Sequence, residues 1–375
     1  MAALILLLVL SLVISIPHFP LVSATEDSWA TKESMQVARG RLGVAVVNGK
    51  IYAIGGDTLN LSGFRNADFE RGSPVSTNEE YDPATDTWTF KEPMPTPRSH
   101  FGIAVYQNRI YCIGGYTEDG ITGLNEVYDP ETDTWETKTA MPTARNLPHT
   151  NFVNNKIYAI GGRFATFNYS RVNEVYDPVR DSWITKTAMP QVSLGFASSA
   201  VVDNRIYVMG GWSGVEGTNA NLTQIYDTKT DSWSFGAPQP SGVIQTGVGV
   251  TTGMNAPKQI YFFVDSLTQV YNPANDSWAH GTGMSTARGY AGVAVINDIF
   301  YVIGGMLAPY VGSYPFDSIN TKSTGSNEQY TPIGYIPEFP SWTPMLLILI
   351  MLAVAVAIYK RKLPKTGNTT IILEP

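Results

Sequence analysis

One segment recurs along most of this chain and constrains its fold more than any other feature. In its clearest copy, residues 110–135, it reads IYCIGGYTEDGITGLNEVYDPETDTW. Six copies place a tyrosine after an apolar residue, at Tyr52, Tyr111, Tyr158, Tyr207, Tyr261 and Tyr301. Self-similarity at a period of about 50 residues predicts a stack or ring of repeated supersecondary units.

Each copy carries the signals of four short strands, which we name a, b, c and d. Strand a is small or β-branched, and Asn or Asp residues that tolerate positive φ separate it from strand b, as a two-residue hairpin turn requires. Strand b ends at a Gly pair in five copies, and strand c ends at a tyrosine. Strand d begins at an Asp-x-Trp motif, whose tryptophans are Trp88, Trp135, Trp183, Trp233 and Trp278.

The two ends of the repeat array are complementary. Tyr330 in the last copy is not followed by a tryptophan, whereas Asp27 and Trp29 have no tyrosine before them. We therefore expect residues 28–33 to supply the missing fourth strand of the last repeat. That pairing would close a ring and leave no open sheet edge between the first and last units.

The order Gly-Gly, Tyr-Asp-Pro and Trp at this period resembles the kelch repeat. The resemblance implies an all-β, six-bladed β-propeller over residues 25–332. Its glycine pairs, tyrosines and tryptophans would pack within and between blades. The blades are expected at about 42–93, 101–140, 148–188, 196–237, 245–282 and 290–332, the last completed by strand 28–33.

The sequence predicts a sorting signal at each end of the chain. Residues 1–24 are expected to be a secretory signal, since positions 4–16 are almost wholly apolar and positions 22–24 are small. An uncleaved signal anchor is the alternative. Residues 342–359 carry no charge and would span roughly 27 Å as a transmembrane helix. The basic residues at 360–362 predict a cytoplasmic tail, 360–375, and an extracellular propeller joined through linker 333–341.

The segment 336–342 contains Pro337, Glu338 and Phe339 ahead of this apolar run. It resembles the Pro-Glu-Phe sorting tails of archaeal surface proteins. That resemblance implies a single-pass anchor at the cell membrane, which a membrane transpeptidase could process.

Charge and cysteine content narrow the classes of partner and chemistry. The net charge is −7, and residues 26–340 hold 21 basic and 31 acidic residues, a balance of −10 that argues against a nucleic-acid partner. The single cysteine, Cys112, cannot form an intramolecular disulfide and is expected to be a small buried core residue. We assign no catalytic residue, metal or cofactor.

The b–c loops and d–a connections should share one face of the propeller, the mouth face, and the a–b and c–d turns the other, the turn face. Met-x-x-x-Arg precedes strand a in four repeats. In kelch propellers that bind acidic peptides, arginines here ring the channel mouth. The resemblance therefore implies ligand-binding candidates at Arg39, Arg41, Arg98, Arg145 and Arg288. His100 and His149, which should face the same mouth, are candidates by their position. The alternative is that the repeated arginines only pair with neighbouring groups.

Function is expected where the repeats differ, mainly on loops. The longest b–c loops, 57–77 and 306–326, carry Phe64, Arg65, Phe69, Arg71, Tyr310, Tyr314 and Phe316. Candidate N-glycosylation sites are Asn60, Asn168, Asn221 and Asn275. The repeated Asp of Asp-x-Trp is expected to make a local Asx-type hydrogen bond rather than to bind calcium.

These patterns favour a membrane-anchored cell-surface propeller that binds a protein or glycan through the mouth face, with acidic groups among its ligands. The alternative is an extracellular carbohydrate-active enzyme, a sugar epimerase, mutarotase or oxidase, that uses the same mouth. Two histidines at the mouth are few for a metal site. The core position expected for Cys112 argues against a copper oxidase.

Overall fold

The computed structural model describes residues 25–59, 72–165, 168–192, 197–211, 221–240, 247–307, 322–337 and 351–356. The chain divides into two compact units, one ending at Tyr335 and one beginning at Ile336. In the first unit, six four-stranded antiparallel sheets each follow the order a, b, c, d, which confirms the predicted six-bladed propeller.

The first three blades have strands of five residues each. Blade 1 comprises Gly43–Val47, Lys50–Ile54, Asn78–Asp82 and Thr87–Lys91. Blade 2 comprises Gly102–Tyr106, Arg109–Ile113, Asn125–Asp129 and Thr134–Lys138. Blade 3 comprises His149–Val153, Lys156–Ile160, Asn173–Asp177 and Ser182–Lys186.

Blade 4 comprises Ser198–Val202, Arg205–Met209, Thr223–Asp227 and Ser232–Gly236. Blade 5 comprises Gly247–Val250, Ile260–Val264, Leu267–Asn272 and Ser277–Gly281. Blade 6 comprises Gly292–Ile296, Ile299–Ile303, Asn327–Thr331 and Ser28–Lys32. Two-stranded hairpins extend four b–c connections, pairing Asp57–Thr58 with Ser73–Pro74, Tyr116–Thr117 with Gly120–Ile121, Arg163–Ala165 with Asn168–Tyr169, and Met306–Leu307 with Lys322–Ser323.

The N-terminal strand closes the ring as predicted. Trp29 pairs with Tyr330 in an antiparallel register that runs the full length of the strand. The two rings lie 4.9 Å apart, and the Trp29 indole also contacts Phe263 of blade 5 at 5.4 Å. The a–b turns also follow the prediction, since Asn48, Asn108 and Asn155 all have positive φ.

The hydrophobic core lies between blades rather than within one. Each buried cluster combines residues of two neighbouring blades. In every gap a strand-b tyrosine contacts a strand-c tyrosine of the next blade, with ring centroids 5.8–6.0 Å apart. Cys112 is fully buried in one of these clusters, as expected.

The Asp-x-Trp motif joins each blade to the one before it. Asp86 accepts hydrogen bonds from the Tyr81 hydroxyl at 2.6 Å and from the Glu33 backbone amide at 2.9 Å, and Trp88 donates to the Glu33 carbonyl. The same three bonds recur in all six gaps. We call this arrangement the Asp-Trp clasp.

The predicted role of this aspartate was wrong in one respect. The local Asx-type bond is made by the residue that follows the strand-c tyrosine. In blade 1 this is Asp82, whose carboxylate accepts a hydrogen bond from the Ala84 amide. The clasp aspartate instead has positive φ, and its carboxylate bridges to the neighbouring blade.

In the second unit, residues 351–356 are helical. Over the part of the chain that the structure describes, no helix is long and apolar enough to cross a membrane. Most of the predicted span 342–359, the signal 1–24 and the basic tail 360–375 lie outside the described residues.

Candidate functional site

The four repeated arginines lie inside the blades. Arg39, Arg98, Arg145 and Arg288 are at most 1% exposed. Each pairs with a buried strand-c glutamate of its own blade, namely Glu79, Glu126, Glu174 and Glu328 respectively. Each also donates to a strand-b carbonyl, such as that of Ala159, 2.9 Å from Arg145 Nη2.

This position departs from the expected ring of solvent-facing arginines. The physical reason is visible in the repeats that lack the motif. Blades 4 and 5 have Ser193 and Val243 where the other blades have arginine, and Gln224 and Gln269 where they have glutamate. A buried carboxylate is costly without a cation, so the two charges are present or absent together.

The glycine pairs belong to the same frame. In blade 1 both Gly55 and Gly56 have positive φ, which most residues avoid. A Cβ on Gly55 would lie 2.7 Å from the Arg98 carbonyl and 2.9 Å from the Met94 side chain of the next blade. The Gly pair and the Met-x-x-x-Arg motif are thus two sides of one blade-to-blade contact.

The mouth is lined by residues two positions after each arginine. Arg41, His100, Leu147 and Tyr290 all adopt left-handed backbone, with φ between 53° and 57°. The Arg41 amide donates to Tyr290, His100 to Arg41 and Leu147 to His100, at 2.7–3.0 Å. These four residues form a hydrogen-bonded arc across blades 6, 1, 2 and 3, which we call the mouth arc. Left-handed conformation costs roughly 1–2 kcal/mol for such residues.

The arc presents four different side chains on one backbone pattern. Arg41 pairs with Asp57 at 3.0 Å and lies 4.5 Å over the Tyr290 ring. His100 Nδ1 is 3.0 Å from the Ser99 hydroxyl, and its ring meets Tyr290 edge-on. Arg41 is therefore held by a carboxylate and an aromatic ring.

A cavity of about 160 Å³ opens at the arc. Among the predicted site residues it brings together Arg41, His100 and His149. The rest of its lining is apolar apart from Tyr290, and consists of Leu42, Phe101, Leu147, Pro148, Ala197 and Ala291. Ligand binding by Arg41, His100 and His149 stays a prediction.

Burial keeps both histidines uncharged. It places the pKa of His100 well below its usual value, and the positive charges of Arg41 and Arg163 add to the shift. Burial, followed by the charge of Arg145, lowers the pKa of His149 to about 4. Because Arg41 is neutralised by Asp57, the cavity is closer to neutral than an acidic-peptide site would require.

Sequence reasoning missed Leu147, Tyr290 and Asp57. A usable signal was present, since counting two residues past each Met-x-x-x-Arg arginine selects the whole arc. The aromatic and basic residues named in the two long b–c loops lie outside the described residues, as does Asn60. Asn168 and Asn275 are exposed, and Asn221 is half-buried.

Among the described residues, no group of three His, Cys, Asp or Glu side chains is placed to hold a metal ion. Burial raises the pKa of the Cys112 thiol to about 12. That thiol is therefore protonated at neutral pH and is a poor metal ligand.

The Kelch motif family matches residues 38–95, 97–142, 144–190 and 194–240, more than half of the chain. The chain belongs to the kelch-repeat family. Its kelch propeller is a module of the protein-interaction type. Similar proteins include the mouse influenza virus NS1A-binding protein homolog, 42% identical over 81 residues, and zebrafish (Danio rerio) Kelch-like protein 15, 38% identical over 94 residues.

These similarities cover parts of larger proteins. The matches span 22% and 25% of this chain, but only 11% of the mouse protein and 15% of the zebrafish protein. Among solved structures, YjhT superimposes with a TM-score of 0.61 over 79% of this chain and 95% of its own, at 16% identity. That likeness supports the fold alone.

Proposed function

We propose that this chain is a cell-surface protein-binding module whose partner inserts a side chain into the cavity at the mouth arc. The proposal rests on the lining and the volume of that cavity. Its volume, about 160 Å³, lies below the roughly 300–1,000 Å³ of small-molecule sites, so it suits one side chain better than a whole sugar or cofactor.

The lining favours an apolar or aromatic anchor. Leu147, Phe101 and Pro148 offer apolar contact, and Tyr290 and His100 offer ring edges and a polar rim. Buried anchors of this kind dominate the energetics of protein interfaces. An acidic ligand would find Arg41 already paired with Asp57. No observation on the described residues favours the carbohydrate-enzyme or glycan-binding alternatives at this cavity.

Leu147→Asn and Tyr290→Asn test the proposal. Asparagine tolerates left-handed backbone, so both variants keep the arc while removing its apolar surface. We expect peptides selected from a display library on the full chain to bind each variant at least about tenfold more weakly. Phe235→Asn, which removes an exposed aromatic ring from an outer strand, is the control. Wild-type affinity in both arc variants would exclude the cavity as the binding site.

We also propose that the propeller is extracellular and is anchored through residues 342–359, with the basic residues at 360–362 on the cytoplasmic side of the membrane. External protease added to intact cells should degrade the propeller and spare a tag at the C-terminus. Protection of residues 25–332 would refute this topology.

A further inference from the structure

Blade 5 differs from the other blades on the turn face. Its strands a and b are joined by nine residues, 251–259, whereas the other five blades use two-residue turns. Its b–c connection is correspondingly short, since Val264 pairs with Leu267. Blade 5 therefore adds chain to the turn face, where the repeat pattern provides none.

The added loop is rigidly held by Asp298 of blade 6. This buried carboxylate accepts hydrogen bonds from the backbone amides of Thr252, Asn255 and Ala256, and from the Thr252 hydroxyl. Burial opposes ionisation, but the three amides outweigh it and hold the pKa of Asp298 below its usual value. The loop is thus a preformed wall.

The end of this loop, at Lys258, forms one side of a cleft of about 390 Å³ between blades 4 and 5. Lys258, near the end of the loop, reaches across to Asp203 in the a–b turn of blade 4, at 2.7 Å. The c–d turns of the two blades form the remaining sides, through Lys229 and Pro273. Unlike the mouth cavity, this cleft falls within the size range of small-molecule sites.

The cleft has one positive charge in excess. Its lining holds three cations, Arg205, Lys229 and Lys258, and two carboxylates, Asp203 and Asp227. Arg205 pairs with Asp227 and Lys258 with Asp203, whereas Lys229 has no ion-pair partner among the described residues. A cationic cleft on a propeller with a charge balance of −10 is a local exception to its surface.

We propose that this cleft binds a small hydroxylated carboxylate, of the type of a uronic acid sugar. One carboxylate on the ligand would balance the excess charge by pairing with Lys229. Asp203 and Asp227 remain as hydrogen-bond acceptors for ligand hydroxyls. The apolar surface of Pro273 can contact the C–H face of a sugar ring. A zwitterion or a neutral sugar would leave the cleft with its positive charge.

Isothermal titration calorimetry of the purified full chain tests this assignment. Glucuronate and galacturonate should bind at millimolar concentrations, and glucose and glycine at least about tenfold more weakly. Lys229→Ala should weaken uronate binding by about tenfold or more, because it removes one charge-assisted hydrogen bond. The substitution reproduces blade 1, which has Ala84 at this position.

Two controls localise the effect. Lys156→Gln removes the blade 3 counterpart of Arg205 on the same face, and Tyr290→Asn alters the mouth; both should bind uronate as the wild type does. Thermal melts of Lys229→Ala should match the wild type. The assignment is overturned if uronates do not bind, if glucose or glycine binds equally well, or if Lys229→Ala retains full affinity while folded.

Discussion

The buried pair of Arg145 and Glu174 allows a direct test of whether the repeated arginines belong to the frame. Arg145 is fully buried, and its Nη1 lies 2.6 Å from Glu174 Oε2. Its Nη2 donates to the Ala159 carbonyl, while the Thr143 hydroxyl donates to the other Glu174 oxygen. Arg145→Met removes the charge while keeping most of the volume.

The expected cost follows from what the substitution leaves behind. Removing one partner of a buried pair costs about 3–5 kcal/mol, because the other charge stays buried and uncompensated. For a propeller of this size that corresponds to a melting temperature lower by roughly 5–8 °C. Adding Glu174→Gln should recover most of the loss. The Gln224 of blade 4 and Gln269 of blade 5 occupy this position without an arginine.

The assay is a double-mutant cycle on Arg145→Met, Glu174→Gln and the double variant. The stability of each protein is measured by thermal unfolding, with tryptophan fluorescence as the signal. We expect the stability loss of the double variant to be smaller than the sum of the two single losses by about 2 kcal/mol or more. The residual cost, about 1 kcal/mol, reflects the Ala159 carbonyl losing its donor. Additive losses, or a single variant as stable as the wild type, would refute a structural role for the pair. The hypothesis that Arg145 binds a ligand would then be favoured again.

Two further predictions concern the clasps. Hydrogen bonds from Tyr81 and Glu33 hold the pKa of Asp86 below its usual value, so the stabilisation by its carboxylate is complete above the unfolded pKa of about 3.9 and is lost as pH falls through the lower folded value. The melting temperature should therefore fall below about pH 4, and it should fall less steeply with pH in Asp86→Asn. The same dependence of melting temperature on pH in the variant and the wild type would contradict this. Trp29→Ala removes the bond to the Thr282 carbonyl and the contact with Phe263, and should cost about 2–3 kcal/mol with faster amide exchange in residues 28–32. Trp135→Ala, inside a blade built from contiguous chain, is the control; unaltered exchange in residues 28–32 would disprove the closing role.

The architecture was predictable because its determinants are local and repeated. The alternation of small and apolar residues, the turn residues and the unmatched Trp29 specify blade number and closure without any ligand or partner. Each signal is copied five or six times, so an error in one copy, such as Val264 and Asp265 in place of a Gly pair, does not disturb the rest.

The site was less predictable because the repeated arginines were assumed to be exposed to solvent. A repeated arginine near a loop looks accessible, but Glu79, Glu126, Glu174 and Glu328 recur in strand c at the same repeats. The two blades that lack the arginine also lack the glutamate, and this internal covariation was visible in the sequence. The nine-residue loop of blade 5 was equally visible, but its anchoring by Asp298 depends on contacts between blades that no repeat pattern encodes.

The mouth arc shows how one propeller frame can present different side chains on the same backbone pattern. Arg41, His100, Leu147 and Tyr290 share a left-handed conformation and are linked in a row by three backbone hydrogen bonds, although their side chains have nothing in common. The left-handed backbone therefore does not depend on the identity of the arc side chains; in each copy it lies two residues after a buried arginine. Substitutions at Leu147 and Tyr290 should change what is recognised at little cost in folding, whereas substitutions at Arg39, Arg98, Arg145 and Arg288 should do the reverse.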